Sequence, residues 1–221
     1  MNEAIDAARF VIGLCFLSYA AYTDLKTREA SNKIWLIMGI AGIILLLIER
    51  PDVMQTAISI AIAFPLAFLL YVFGMGGADV KAMWSIALLS PLQPSFYGLP
   101  FFTSPIFVFP LTFLINSLLL VVFLPLSFLL YNATKKDISF PQCLFGYRME
   151  AERAKKSFVW SMERNDGSRG IMPVKDFNFE KAGNRKIWVT PQMPFLLFMS
   201  LGFFISYVFG DILFFLLSLL H

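Results

Sequence analysis

Positions 106–130 read IFVFPLTFLINSLLLVVFLPLSFLL and contain no charged residue. A helix needs about 20 mostly apolar residues to cross a membrane, because no water is available there to satisfy the backbone. The stretch from Ile106 to Leu130 therefore predicts a membrane-spanning helix. Three further stretches meet or nearly meet the same requirement, and they run from Ala7 to Thr23, from Ile34 to Ile48 and from Ala57 to Phe73.

The composition of the whole chain agrees with a membrane protein. Of its 221 residues, 58% are hydrophobic and only 15% are charged, whereas soluble domains carry about 25% charged residues. This balance excludes a disordered chain, a coiled coil and most water-soluble cores. Cys15 and Cys143 offer neither a zinc quartet nor a disulfide framework. Because the one histidine is the terminal His221, we expect no histidine-based catalysis and no histidine metal site.

Two weaker apolar segments decide how many helices cross the membrane. The segment from Phe195 to Leu220 is long enough, but Gly210 and Asp211 interrupt it. The segment from Val80 to Leu92 is short, and taken alone it fits a short span and a re-entrant segment equally well. Counting both gives six membrane-spanning helices.

The distribution of basic residues favours six spans. Lys and Arg collect on the cytoplasmic side of membrane proteins. Six spans place sixteen of the eighteen basic residues on one side and leave Arg9 and Arg50 on the other. Without the span at Val80–Leu92, the basic segment 132–193 would face away from the connector that holds Lys26 and Arg28. We therefore expect six spans with both termini outside. The acidic residues before the first apolar stretch predict a retained helix, because a cleaved signal peptide begins with positive charge.

The segment 132–193 is the one long hydrophilic part of the chain, with 12 basic and 7 acidic residues. Apolar residues alternate with polar ones in 157–162 and 186–190, and the turn signals Asn165-Asp166-Gly167 and Ala182-Gly183-Asn184 lie nearby. Such runs bounded by turns predict small antiparallel strands. A solvated linker is the alternative, and its two tryptophans argue against that.

We therefore predict three parts in this polytopic α-helical membrane protein. Residues 1–131 form transmembrane helices one to five, residues 132–193 form a small β-rich cytoplasmic domain, and residues 194–221 form helix six.

Two carboxylates, Asp24 and Asp79, each adjoin a hydrophobic helix, on the cytoplasmic side in the six-span arrangement. Ionisable groups at such positions are costly, so a functional role is the first hypothesis. The alternative is that both residues cap helix ends while nearby lysines reach the lipid headgroups. The glycines before Asp79, in Gly74-Met75-Gly76-Gly77-Ala78-Asp79, weaken this alternative because a helix start does not need three of them. Asp211 has only a minor claim to function.

Two carboxylates at one membrane depth point to acid–base chemistry. When they lie within a few ångströms they cannot both ionise cheaply, and they share a proton. The ionised carboxylate then deprotonates a water molecule, and the protonated one donates to a carbonyl oxygen. This is the aspartic protease scheme, which needs no metal, nucleophilic side chain or cofactor.

The two motifs resemble those of a known group of enzymes. Gly76-Gly77-Ala78-Asp79 resembles the G-x-G-D signature of membrane aspartyl proteases, with Ala78 in place of the second glycine. Asp24-Leu25-Lys26-Thr27-Arg28, followed by Ser31-Asn32, resembles the partner motif of the prepilin peptidase clan. Within that clan the chain looks most like the archaeal preflagellin (archaellin) peptidases, over essentially its whole length. The tract 188–195, before the last apolar segment, is also similar to that family.

The resemblance implies roles for the motif residues. Asp24 and Asp79 would be catalytic, and Gly74, Gly76 and Gly77 would give the backbone the freedom that lets Asp79 reach its partner. Lys26, Arg28 and Lys81 would be interface anchors rather than catalysts.

The resemblance also implies a function. The enzyme would be a membrane aspartyl endopeptidase that removes the short, positively charged class III signal peptide of preflagellin- or prepilin-like precursors at the cytoplasmic interface. Its partners would be that precursor and membrane lipid, and we expect no cofactor, metal or nucleic acid. The cysteine quartet of many bacterial prepilin peptidases is missing.

Two other classes of function stay open at this point. A small proton- or cation-coupled transporter could use Asp24 and Asp79 as ion sites, because glycine-broken helices beside intramembrane acids occur there too. A membrane scaffold could use residues 132–193 to bind a partner, but it would leave the glycine–aspartate motif unexplained.

Overall fold

The computed structural model describes residues 2–174 and 176–220. The chain divides into two compact units, of which the first comprises Met1–Leu120 and Pro194–His221 and the second Val121–Met193. The described residues form ten α-helices, namely α1 (Glu3–Thr27), α2 (Asn32–Glu49), α3 (Val53–Val72), α4 (Gly77–Leu89), α5 (Phe109–Val122), α6 (Leu124–Thr134), α7 (Ala151–Lys155), α8 (Phe179–Ala182), α9 (Phe195–Val208) and α10 (Ile212–Ser218), and a short 3-10 helix at Gln142–Leu144. They also form four strands, namely β1 (Tyr147–Glu150), β2 (Val159–Glu163), β3 (Arg169–Val174) and β4 (Lys186–Pro191).

Four helical stretches in the described chain are long and apolar enough to cross a membrane. They are Glu3–Thr27, Asn32–Glu49, Val53–Val72 and Phe109–Thr134. The last joins α5 to α6 across a break at Phe123, where Pro125 occupies the first turn of α6 and cannot donate a helical hydrogen bond. These helices overlap the four strongest predicted stretches, of which Ala57–Phe73 ends one residue beyond its helix and Ile106–Leu130 begins three residues before its helix. A mostly helical fold with four candidate membrane spans and a small antiparallel sheet is thus confirmed, and the count of six spans stays a prediction.

The apolar segment that begins at Phe195 forms two helices rather than one. α9 ends before Gly210, whose φ of +90° ends the helical backbone. Asp211 then caps α10 by accepting a hydrogen bond from the backbone N–H of Phe214 at 2.9 Å. Its other carboxylate oxygen accepts one from the hydroxyl of Ser104 at 3.0 Å. Asp211 is therefore a buried carboxylate with a structural task, which accounts for its place in an apolar run.

Helix α4 lies at the centre of the first unit and contacts α1, α2, α3 and α9. It begins at Gly77 and ends at Leu89, so it starts before and stops short of the predicted segment Val80–Leu92. Its 13 residues extend about 20 Å at the helical rise per residue. Met83, Ile86 and Leu89 are fully buried within the apolar core of this unit.

Glycine brings α2 close to α4. A Cβ atom on Gly42 would lie 2.6 Å from the backbone of Leu88 and Leu89, a distance that real Cβ atoms do not adopt. Small residues at helix contacts let two backbones approach closely, which is how helices gain packing energy inside a membrane.

A buried ion cluster joins the beginning of α1 to the end of α2. The guanidinium of Arg9 lies 3.0 Å from a carboxylate oxygen of Asp6 and 2.7 Å from one of Glu49. The second oxygen of Asp6 accepts a hydrogen bond from the backbone N–H of Ser95 at 3.0 Å. Buried charges need such partners, and removing one of them leaves the others stranded.

The second unit contains an antiparallel sheet with the strand order β1-β4-β2-β3. The two alternating runs predicted as strands correspond to β2 and β4, which pair with Ser161 opposite Val189. The predicted turn at Asn165-Asp166-Gly167 connects β2 to β3, and Gly167 supplies a φ of +85°. Strands β1 and β3 were not predicted, because neither shows the alternation, and Pro173 lies within β3.

Candidate active site

The carboxylate of Asp24 lies in the last turn of α1. The helix ends because Arg28 adopts a left-handed conformation with a φ of 59°, and its N–H donates to the carbonyl oxygen of Asp24 at 2.9 Å. The hydroxyl of Thr27 donates to the carbonyl of Thr23 at 2.9 Å in the same turn. Asp24 is half-buried, so its carboxylate stands at the boundary between the packed helices and their surroundings.

Asp79 occupies the first turn of α4. Gly76 is the residue that caps this helix, and Asp79 is the third residue after it. Its carboxylate turns back and accepts a hydrogen bond from the backbone N–H of Gly76. This resembles the reciprocal half of a capping box, and the positive end of the helix dipole favours a carboxylate there. The chain geometry at the start of α4 therefore fixes where this acid points.

The glycines before Asp79 have different structural roles. Gly74 has a φ of +98°, which lets the chain leave α3 and turn into α4. A Cβ atom on Gly76 would lie 2.8 Å from the Oδ2 atom of Asp79. At Gly77 the nearest atom to such a Cβ belongs to the ring of Tyr71, at an ordinary 3.9 Å. The close approach is therefore specific to Gly76.

The fold brings the two acids near each other although they are far apart in the chain. The negative charge of Asp24 acts on the carboxylate of Asp79, so the two groups lie within electrostatic range. Ala20 and Ala21 of α1 and Val80 of α4 belong to one buried apolar cluster beside them. The assignment of the two aspartates as catalytic residues stays a prediction.

The basic residues of the two motifs have distinct surroundings. The ammonium of Lys81 donates to the side-chain oxygen of Asn32 at 2.7 Å, and this bond joins the start of α4 to the start of α2. The positive charge of Arg28 acts on Asp24. Lys26 lies over the ring of Tyr22, 5.9 Å from its centroid. The role of Asn32 was not predicted, although it closes the motif that begins at Asp24.

Two neighbouring carboxylates can share one proton and so supply an acid and a base to the same substrate. In residues 2–174 and 176–220 no group of three or more His, Cys, Asp or Glu side chains is arranged to hold a metal ion. The aspartate pair itself can supply acid–base chemistry.

Comparison with protein families bears on this pair. Residues 11–126, more than half of the chain and the part that includes both aspartates, match the model of the type IV leader peptidase family. The chain belongs to the type IV leader peptidase family. Residues 171–212 match a second model, that of the type II C-terminal part of archaeal A24 peptidases. The resemblance to the archaeal branch of the prepilin peptidase clan, predicted from the two aspartate motifs, is confirmed.

Individual relatives of this type IV leader peptidase agree with the family. It is 28% identical to a preflagellin peptidase of Methanococcus maripaludis, over 91% of this chain and 95% of the relative. It is 27% identical to a preflagellin peptidase of Methanocaldococcus jannaschii, over 91% of this chain and 94% of the relative. It is also 33% identical to the prepilin peptidase EppA of Methanothermobacter thermautotrophicus, but over only 52% of this chain and 33% of the relative.

Proposed function

We propose that this leader peptidase is a membrane aspartic endopeptidase that removes class III signal peptides from preflagellin- or prepilin-like precursors. Asp24 and Asp79 are the catalytic acids in this proposal. The observation that carries it is that the charge of Asp24, on one helix, acts on the carboxylate of Asp79, on another. Both residues lie inside the region that matches a peptidase family. Family membership favours a peptidase over the transporter that the sequence left open.

The reaction follows from a proton shared by the two carboxylates. The ionised aspartate takes a proton from water, and the resulting hydroxide attacks the carbonyl carbon of the scissile peptide bond. The protonated aspartate donates to the carbonyl oxygen, which gives a neutral tetrahedral intermediate. Collapse of the intermediate with protonation of the leaving nitrogen breaks the C–N bond. The two acids act and titrate as one unit, so neither is assigned permanently as acid or base.

The surroundings of the pair support a site at the membrane boundary. Both aspartates stand at helix ends, next to the basic residues Lys26, Arg28 and Lys81. A precursor would bring its apolar helix alongside the spans and present the bond before it at this boundary. Lys26 and Arg28 would contact lipid headgroups, as expected from the sequence, while Lys81 would hold α4 against α2 through Asn32.

The cytoplasmic location belongs to the same proposal. The bond between Lys81 and Asn32 supports placing the connector after α1 and the start of α4 on one side of the membrane. The excess of basic residues in these connectors and in 132–193 makes that side the cytoplasm. Six spans satisfy this arrangement, with the short helix α4 crossing between the longer ones.

The test is direct cleavage of a precursor. Purified full-length protein is incubated with a preflagellin that carries a class III signal peptide, and the new N-terminus of the product is sequenced. We expect a single cut just before the hydrophobic stretch of the substrate. A folded protein that leaves the precursor intact, and instead moves protons or cations into sealed vesicles, would replace this proposal with the transporter.

A further inference from the structure

A polar pocket of about 430 Å³ lies in the second unit, between the end of α6 and the edge strand β1. Its lining includes two phenols and four basic side chains, which are Tyr131, Tyr147, Lys135, Arg148, Arg153 and Lys186. None of these residues is part of the aspartate site, and the proposed cleavage reaction does not use them.

The pocket carries an excess of positive charge. Two carboxylates also line it, and Asp137 lies 3.2 Å from the guanidinium of Arg148 while Glu150 lies 3.3 Å from that of Arg153. Four cations against two carboxylates leave two positive charges in excess. The pocket therefore favours an anionic ligand.

The aromatic residues fit the same kind of ligand. Lys135 lies over the ring of Tyr131, 5.9 Å from its centroid, and both residues line the pocket. Burial raises the pKa of Tyr147, and the nearby Tyr131 adds to this, so the phenol of Tyr147 keeps its proton and can donate to an oxygen. Lysine ammonium and phenol groups together are suited to a phosphate, which carries several acceptor oxygens.

The position of the pocket indicates where such a phosphate comes from. Tyr131 and Asn132 belong to the last turns of Phe109–Thr134, one of the stretches that is long and apolar enough to span a membrane, and Lys135 follows it directly. Tyrosine and basic residues at the end of such a helix lie at the level of the lipid headgroups. A phosphate of the lipid surface is therefore within reach of the pocket.

We propose that this pocket binds the phosphate group of an anionic phospholipid. Lys135 and Lys186 supply the excess charge, and Tyr131 and Tyr147 close the site around the headgroup. The proposal does not depend on the peptidase reaction, so its test and the cleavage assay can fail independently.

The experiment uses the purified full-length protein in a neutral detergent. Native mass spectrometry measures bound phosphatidylglycerol, with phosphatidylcholine as the lipid without net charge. One basic residue near an anionic lipid surface contributes about 1 kcal/mol, or about fivefold in binding. We expect preferential binding of phosphatidylglycerol, and a loss of about 25-fold when Lys135→Gln and Lys186→Gln are combined.

The matched control removes the same charge outside the pocket. Lys156→Gln with Lys181→Gln changes two exposed lysines of the same unit that do not line the pocket, and it should change binding less than twofold. Arg153→Gln provides a further pocket variant on an exposed position of α7. Thermal unfolding of each variant shows that the chain is folded.

A second arm separates the two sources of phosphate. Inorganic phosphate is added without lipid, and binding is followed in the natural chain and in the pocket variant. Binding of inorganic phosphate that needs Lys135 and Lys186, without preference for phosphatidylglycerol, would support the site but overturn the lipid as its source. Equal losses in the pocket and control variants, or no preference for either phosphate ligand, would overturn the site.

Discussion

Asp79 is positioned by the backbone that begins its own helix. The N–H of Gly76 donates to its carboxylate, and the absence of a side chain at Gly76 leaves room for that contact. The carboxylate of Asp24 is half-buried and experiences the positive charge of Arg28. Two acids of the same type thus stand in different surroundings, which is how one pair of carboxylates can hold a single proton between them.

The first prediction concerns these two acids. Asn is nearly isosteric with Asp, but it can neither activate water nor exchange the shared proton. Asp24→Asn and Asp79→Asn should each lower cleavage by at least about 10²- to 10⁴-fold, the usual contribution of general acid–base catalysis. The double variant should be no worse than either single one, because the two groups act as a unit. The measurement is cleavage of a preflagellin by variants whose thermal unfolding matches that of the natural chain.

Asp211→Asn is the matched control for this prediction. An asparagine can still cap α10 and can still contact Ser104, so both fold and cleavage should be kept. Substantial cleavage by folded Asp24→Asn or Asp79→Asn protein would refute the aspartic mechanism.

The second prediction concerns Gly76. A methyl group there would approach the Oδ2 atom of Asp79 to 2.8 Å and displace it. Misplacing a catalytic group by about 1 Å can cost about 100-fold in rate. Gly76→Ala should therefore reduce cleavage strongly while leaving the unfolding temperature little changed. Gly77→Ala, one residue along, would bring its methyl group only into ordinary contact with the ring of Tyr71 at 3.9 Å, and it should lose much less. Equal activity of the two variants would count against the close approach.

The packing of α2 against α4 holds in place the helix that carries Asp79. Gly42 lies where the two backbones meet, whereas Gly39, one turn away, faces only the flexible end of Leu88 at 3.4 Å. The two glycines offer a matched pair on one helix.

The third prediction uses this pair. Gly42→Ala should destabilise the protein by about 1–3 kcal/mol, the usual cost of overpacking. Gly39→Ala should be neutral or stabilising by up to about 1 kcal/mol, because alanine favours the helix more than glycine does. Thermal unfolding in detergent measures both. A Gly42→Ala protein as stable as the natural one would mean that α2 and α4 are not this close.

The sequence was most informative where long runs or regular alternation decide the structure. Four long apolar stretches predicted their helices, and alternation in 157–162 and 186–190 predicted β2 and β4. Contacts between residues far apart in the chain could not be predicted, because the local sequence does not indicate them. Examples are the hydrogen bond from Lys81 to Asn32 and the salt bridges of Arg9 with Asp6 and Glu49. Asp24 and Asp79 could be predicted as candidates because each motif has an unusual local composition. Their closeness comes from the packing of α4 against α1.

The fourth prediction concerns the membrane topology of the full chain. We expect the connector Asp24–Lys33 and the segment 132–193 to face the cytoplasm together. Single cysteines introduced into each, after removal of Cys15 and Cys143, should react with an impermeant reagent only from the inside of the cell. Labelling of the two segments from opposite sides would contradict the six-span arrangement.

In the sequence, Asp24 comes before and Asp79 after the short connector at Arg50–Asp52, which joins α2 to α3. A gene split there would encode one piece, 1–50, with Asp24 and another, 51–221, with Asp79. Each piece alone should be inert, and co-expression should restore cleavage because α2 packs on α4 and α1 on α9. Asp24→Asn in the first piece should abolish the restored activity, and two pieces that co-purify without cleaving would contradict the expectation. Cleavage of the precursor would then report, in the membrane of a living cell, that two separately synthesised sets of helices have assembled.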